Sequence, residues 1–167
     1  NAAQCPAEQF AGGQPPRITV PALSRDTRAL CSSFFSVLYS AISRTPLYSA
    51  EHLTAQSVEE SKDQSRINSF HADRRLPYGA GPALSDYAHS GFDRGHMSPN
   101  GDMPDRQSQH ESFALTNMVP QNPNNNRHLW AAIEGATRVM TEQSGEAYVV
   151  TGPAFLDNVN RVGNLAV

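Results

Sequence analysis

Apolar positions along the chain change their period several times, and each change marks an element. Between Ser33 and Leu53 the spacing is that of strands. Phe34, Phe35, Val37, Leu38 and Tyr39 form one β-rich run, and Leu47-Tyr48-Ser49-Ala50 forms a second. Ser43-Arg44-Thr45-Pro46 between them has turn composition, so a hairpin or two adjacent strands are predicted, with Tyr39 and Tyr48 as strand packing. Upstream, Gly12-Gly13, Pro15-Pro16 and Pro21 break residues 1–23 into an extended arm. Ser24 is placed there as the N-cap of a short helix over Thr27 to Leu30. Ala55 to Gln64 is polar and acidic, a solvent-facing loop or short helix. Arg66 to Pro82 is a long irregular connection, a kind of segment that is usually functional or disordered.

Ser85 to Ser90 predicts a helical turn, Gly91 to His96 a strand, and Ser98-Pro99-Asn100-Gly101 a turn. Pro104 to Phe113 reads as a helix with Pro104 in its first turn. Ala114 to Val119 is a short buried segment, and Asn122 to Asn126 a loop. Leu129, Trp130, Ile133, Ala136, Val139 and Met140 then recur at helical spacing, with Trp130 assigned to the helix core. Ser144-Gly145 ends that helix, and Tyr148 to Gly152-Pro153 reads as a strand and turn.

With 167 residues the chain is one domain by length, large enough for a hydrophobic core. We divide it into residues 1–32, an N-terminal arm and short helix, and residues 33–167, the body. Hydrophobic residues make up 38% and no apolar run is long enough to span a membrane, so a soluble protein with no membrane partner is expected. A net charge of −3 speaks against a general nucleic-acid binder, yet a local cationic strip suffices where only a few phosphates are contacted. Arg66, Arg74, Arg75, Arg94, Arg106 and Arg127 are available for one, the alternative being ordinary surface arginines. Cys5 and Cys31 are the two cysteines. A disulfide between them is expected, stabilising the fold by roughly 3 kcal/mol in the chain-entropy model, the alternative being two free thiols. The pair suits a periplasmic or secreted protein, and Asn1-Ala2-Ala3 suits the remnant of a cleaved leader.

The chemistry concentrates in two stretches. Asp93-Arg94-Gly95-His96-Met97-Ser98-Pro99 sets a histidine beside an arginine and a carboxylate, with Gly95 permitting a turn or a close backbone approach. Leu115-Thr116-Asn117-Met118-Val119-Pro120-Gln121-Asn122 and Asn124-Asn125-Asn126 form an amide-rich block that feeds the periodic run containing Glu134. A base, a cation and hard oxygen ligands are what phosphodiester cleavage requires. His96 is the natural base, since histidine titrates nearest working pH. His52, His71, His89, His110 and His128 have no comparable surroundings.

These blocks resemble the DNA/RNA non-specific endonucleases, the ββα-metal group that includes the Serratia nuclease and endonuclease G. Asp93-Arg94-Gly95-His96 is similar to the family signature, and the Asn117-Met118-Val119-Pro120-Gln121 segment to its Asn-x-x-Pro-Gln block. The similarity spans roughly residues 45 to 156. It implies an α+β fold, an antiparallel sheet flanked by helices, with a ββα-metal active-site motif and one Mg²⁺ that Mn²⁺ can replace. It implies DNA and RNA as partners, contacted through the phosphate backbone.

By the same resemblance Asn126, nine residues after Asn117 and eight before Glu134, is the metal ligand. A single amide suffices for an ion that keeps most of its waters; the alternative is a helix N-cap. Glu134, rotated about 80° and displaced roughly 12 Å along an α-helix from Asn126, holds water at the ion or orients Arg94. Arg94 and Arg66 supply fixed positive charge, and Asn117 orients the site or merely ends a strand. Asp93 is expected to brace Arg94 or the backbone rather than to bind metal.

One departure from the family is the stop at Val167, where relatives continue into a further strand. Either another polypeptide completes the C-terminal part of the fold, or the chain is a shortened form. The function expected is a Mg²⁺-dependent, sugar-non-specific endonuclease with His96 as general base. The alternatives are a catalytically inactive nucleic-acid-binding module and a small-nucleotide phosphodiesterase.

Overall fold

The computed structural model describes residues 5–155 and 161–166; the Asn1-Ala2-Ala3 remnant falls outside them. After two short 3₁₀ turns come α1 (Pro21–Ser24), β1 (Thr27–Cys31), β2 (Phe35–Ser40), β3 (Pro46–Thr54) and α2 (Ala55–Lys62). Next are α3 (Leu84–Tyr87), β4 (Asp93–His96), α4 (Arg106–Ser112) and β5 (Met118–Gln121). A π-helical turn, Asn125–Trp130, runs into α5 (Ala131–Ser144), followed by β6 (Glu146–Thr151) and the small hairpin β7 (Arg161–Val162) and β8 (Leu165–Ala166).

The main sheet is antiparallel, in the order β1-β2-β3-β6, and β4 pairs with β5 in a separate two-stranded ribbon. The two faces of β3 follow from the alternation of its side chains. Tyr48 and Ala50 pack under the arm, against Phe10, Cys5, Ile18 and Leu38. Leu47, Ser49, Glu51 and Leu53 are on the opposite face, which is buried throughout. Glu51 pairs with Val149 of β6 and with Phe35 of β2. A second cluster joins Tyr87, Leu115, Met118 and Leu165. The Cys5–Cys31 disulfide is formed and ties the arm to the end of β1.

Four local expectations are corrected. Thr27 to Leu30 is a strand, not a helix. Ser24 closes a helical turn instead of opening one, and pairing of Thr27–Cys31 with β2 decides the conformation over local propensity. The sheet therefore draws on residues either side of position 32. In α4 the N-cap is Asp105, whose carboxylate accepts the Ser108 N–H at 2.8 Å, so Pro104 precedes the helix. The asparagine run is not all loop. Asn122 Oδ1 accepts the Asn124 N–H at 2.9 Å and the chain is already helical at Pro123.

The apolar stripe of α5 is the fourth. Leu129, Ile133, Val139 and Met140 are 44–66% exposed and Trp130 is only half-buried. The helix instead turns Thr141 and Arg138 inward. Thr141 is fully buried and Arg138 reaches the buried Asp102 at 2.5 Å. Periodicity located the helix but not the face it buries.

Candidate active site

The site is built on the β4–β5 ribbon. Arg94 lies opposite Pro120, Gly95 opposite Val119 and His96 opposite Met118. A Cβ at Gly95 would lie 2.2 Å from Gln121 Oε1 and 2.8 Å from its Cβ, so the close approach, not a turn, requires glycine. His96 ends the strand at 7% exposure, and its Nε2 has no hydrogen-bond partner among the described residues. Burial, followed by the charge of Arg66, depresses its pKa to about 3. The ring is therefore neutral over the whole working range, the form that can accept a proton.

Two aromatic rings, Phe70 and Phe113, hold this imidazole and its cations through four contacts. Phe113 meets His96 edge-on with ring centres 5.0 Å apart, and Phe70 meets Phe113 edge-on at 4.9 Å. The Arg94 guanidinium lies over Phe70 at 4.1 Å from the ring centre, and that of Arg66 lies 5.3 Å from Phe113. Arg66 also donates from Nε to Asn68 Oδ1 at 2.7 Å. Phe70 was not singled out from the sequence, because a phenylalanine in an irregular loop carries no pattern.

Asp93, expected to brace Arg94 or the backbone, directs its side-chain hydrogen bonds to Asn126 and Arg127, and Arg94 acts on it through charge alone. Its carboxylate accepts from Asn126 Nδ2 at 3.0 Å and from Arg127 Nε and Nη2 at 2.9 and 2.8 Å. Those bonds hold its pKa below the ordinary carboxylate value, Arg127 contributing most. Because the amide nitrogen of Asn126 is committed to Asp93, its carbonyl oxygen is left for a ligand. The α-helical arithmetic between Asn126 and Glu134 does not apply, since the intervening residues pass through the π turn.

Glu134 projects from α5 into the same cleft. Burial, reinforced by Asp102, raises its pKa to about 7, against the lowering effect of Arg138 and Arg66. Beneath it lies a buried carboxyl that sequence reading passed over. Glu51 is 1% exposed and neither of its oxygens has a hydrogen-bond partner among the described residues. Burial, then Asp102 and Glu134, push its pKa well up, while Arg138 opposes.

These elements enclose a cleft of about 840 Å³. Arg66, Arg94, His96, Asn126 and Glu134 all line it, with Arg127 and Asn100 beside them. Asn117 does not. It is fully buried behind the ribbon, where its Oδ1 accepts the Ser98 N–H at 3.0 Å and its Nδ2 donates to the Ser98 and Ser112 carbonyls at 2.9 Å. It thus clamps the segment that follows His96. Of the other candidate arginines, Arg75 is paired with Asp73 at 2.6 Å and Arg106 donates to the Ser65 carbonyl at 2.6 Å, both away from the cleft. Among the described residues no three His, Cys, Asp or Glu side chains form a metal-holding group. The Asn126 carbonyl oxygen fits a hard ion that retains its waters. No helix of the described residues is long and apolar enough to cross a membrane.

Comparison with known proteins agrees with this architecture. The chain is 38% identical over 136 residues to Nuclease C1 of Cunninghamella echinulata var. echinulata, a match covering 80% of this chain and 54% of that protein. It is 36% identical to the mitochondrial Nuclease 1 of Schizosaccharomyces pombe (74% and 39% covered) and 31% identical to the mitochondrial Nuclease EXOG of Homo sapiens (84% and 38%). The chain thus spans about half, or less, of the curated relatives it matches. A solved chain of the EndoG/EndoGI complex superposes with a TM-score of 0.70 at 33% identity, covering 81% of this chain and 56% of that one. The mitochondrial relatives overturn the expectation of a periplasmic or secreted location, since the family occupies other compartments and assigns none here. The family model described as DNA/RNA non-specific endonuclease matches residues 14–167, and with its mixed helix and antiparallel-sheet fold the chain belongs to that family.

Proposed function

We propose that the chain carries the catalytic site of a Mg²⁺-dependent, sugar-non-specific endonuclease that hydrolyses phosphodiester bonds in DNA and RNA. The observation that supports this most is the meeting of His96, Asn126, Glu134 and two arginines around one cleft. His96, held neutral, takes the proton of the attacking water. The arriving phosphodiester anion offsets the charge of Arg66 and so raises the basicity of the imidazole as the substrate seats. Arg66 and Arg94, one beside and one over an aromatic ring, present fixed positive charge to the pentacovalent transition state.

Asn126 would hold the divalent ion through its carbonyl oxygen, with Glu134 positioning water near it. When bound, the ion supplies Lewis-acid stabilisation of the leaving oxygen. Mn²⁺, another oxygen-seeking ion, would serve in its place. Asn117 acts at one remove, keeping the His96–Ser98 backbone in place. Contacts of these kinds are to phosphate and carry no sequence information.

The test is supercoiled plasmid or ribosomal RNA incubated with the protein and Mg²⁺, with and without EDTA, and run on a gel. Nicking and degradation that EDTA abolishes are expected. A retarded but intact plasmid would indicate a binding module instead. Intact polymer alongside hydrolysis of a chromogenic phosphodiester would indicate a small-nucleotide phosphodiesterase.

A further inference from the structure

The lining of the cleft is of two chemical kinds. Arg66, His96, Asn100, Asn126 and Glu134 supply polar side chains. Leu84, Tyr87, Ala88 and Phe92 line it as well, with largely apolar surface. Phe92 is 41% exposed and Leu84 47%, and neither belongs to a core cluster. Both line the cleft and keep much of their apolar surface exposed.

The backbone beneath Phe92 is fixed. Ser90 N–H and Oγ–H both donate to the Tyr87 carbonyl, at 3.2 and 2.8 Å, and Ser90 Oγ accepts the Phe92 N–H at 3.1 Å. Gly91 turns the chain at φ +79°, a left-handed conformation that favours glycine. Phe92 is followed directly by Asp93, whose carboxylate anchors Asn126 and Arg127. The ring and the candidate metal ligand are thus referenced to one another through a single hydrogen-bonded residue.

We propose that Phe92 and Leu84 form a stacking shelf for an unpaired nucleobase on the nucleotide next to the scissile phosphate. The proposal rests on reading the cleft as a phosphodiester-cleaving site. The polar lining satisfies the charged part of such a substrate, and the base is its one flat, uncharged part. Every base has a π face, so a phenyl ring grips without reading sequence. The volume, about 840 Å³, lies within the roughly 300–1,000 Å³ of pockets that enclose a small organic ligand, so a nucleoside has room there. In a duplex the base is already stacked on its neighbours, so the shelf serves single strands and locally opened helices.

The experiment uses end-labelled single-stranded oligonucleotides with Mg²⁺, in which one nucleotide at a time is replaced by an abasic tetrahydrofuran. Wild-type protein should cleave at least one bond beside the abasic position about tenfold less efficiently, as kcat/KM, than the same bond with its base present. Phe92→Ala should bring that ratio to about one, and Phe92→Trp should restore it. Because Phe92 is at the surface, both variants should fold. Equal cleavage of base-bearing and abasic bonds by the wild type overturns the shelf alone, as does undiminished discrimination by Phe92→Ala. A wild type that cleaves none of the oligonucleotides yet nicks plasmid overturns the shelf alone, and one that leaves plasmid and RNA intact as well overturns the endonuclease reading together with it.

Discussion

The guanidinium carbon of Arg94 lies 4.1 Å from the centre of the Phe70 ring, and the same ring sits 5.9 Å from that of His96. Phe70 thus touches both the candidate base and a candidate charge-stabilising cation. A cation over an aromatic face is attracted by about 0.5–2 kcal/mol. Phe70→Leu should reduce kcat by about tenfold with little change in nucleic-acid affinity, and Phe70→Tyr should recover most of the loss. A leucine variant as fast as the wild type would show that the ring merely fills space.

Replacing His96 by Gln should lower turnover by about 10²–10⁴-fold, the usual contribution of a general base, while the circular dichroism spectrum stays native. The same substitution tests the pKa. A folded value of about 3 lies below the unfolded 6.5, so the native state resists a proton that the unfolded chain accepts. Stability from this group is full above pH 6.5 and is lost as pH falls toward 3. The glutamine variant should therefore show a flatter decline of Tm with acid. An unchanged pH slope would mean that His96 titrates normally.

Asp93→Ala should free the Asn126 amide from its 3.0 Å tether. Partners that orient a metal ligand typically affect metal affinity by about 10- to 100-fold. Activity of this variant should need at least about tenfold more Mg²⁺ and should approach the wild-type rate at saturation. If the Mg²⁺ titration curves superimpose, Asn126 does not hold the ion.

Glu51→Gln should stabilise the protein near neutral pH. The folded pKa of Glu51 is raised above the ordinary 4.5 by burial, Asp102 and Glu134, with Arg138 opposing. Its favourable contribution is present below pH 4.5 and is lost as pH climbs from there through the folded value. Gln keeps the neutral shape without that loss, so Tm should rise at pH 7–8 and change little at pH 4. A lower Tm at pH 7–8 would mean that the ionised carboxylate is held by an interaction that the structure does not contain.

Much of the site could be read from the chain because its chemistry is carried by compact blocks. His96 and Arg94 share one strand, and Asn126 and Glu134 lie on one helical run, so local spacing brings each pair near the cleft. Arg66 and Asn117 were reachable through the resemblance, although the buried hydrogen bonds of Asn117 to Ser98 and Ser112 are tertiary and leave no local trace. Glu51 was hidden for a related reason. In a strand pattern a lone glutamate reads as a solvent-facing position, and only the packing of both sheet faces buries it. The misread helix at Thr27–Leu30 and the outward stripe of α5 have one cause, since each was decided by what the rest of the chain offered as a neighbour.

The π turn at Asn125–Trp130 gives the length of this segment a meaning that its composition does not have. A wide turn holds one more residue than the α-helical turn it replaces. Deleting one residue from Arg127 to Trp130 would let the helix close normally and swing Asn126 by about 100° about the axis relative to Glu134. Side chains in the turn other than Asn126 and Arg127 can vary while the geometry survives, whereas an indel of one dismantles it. The register of the site is thus encoded as a count of peptide units.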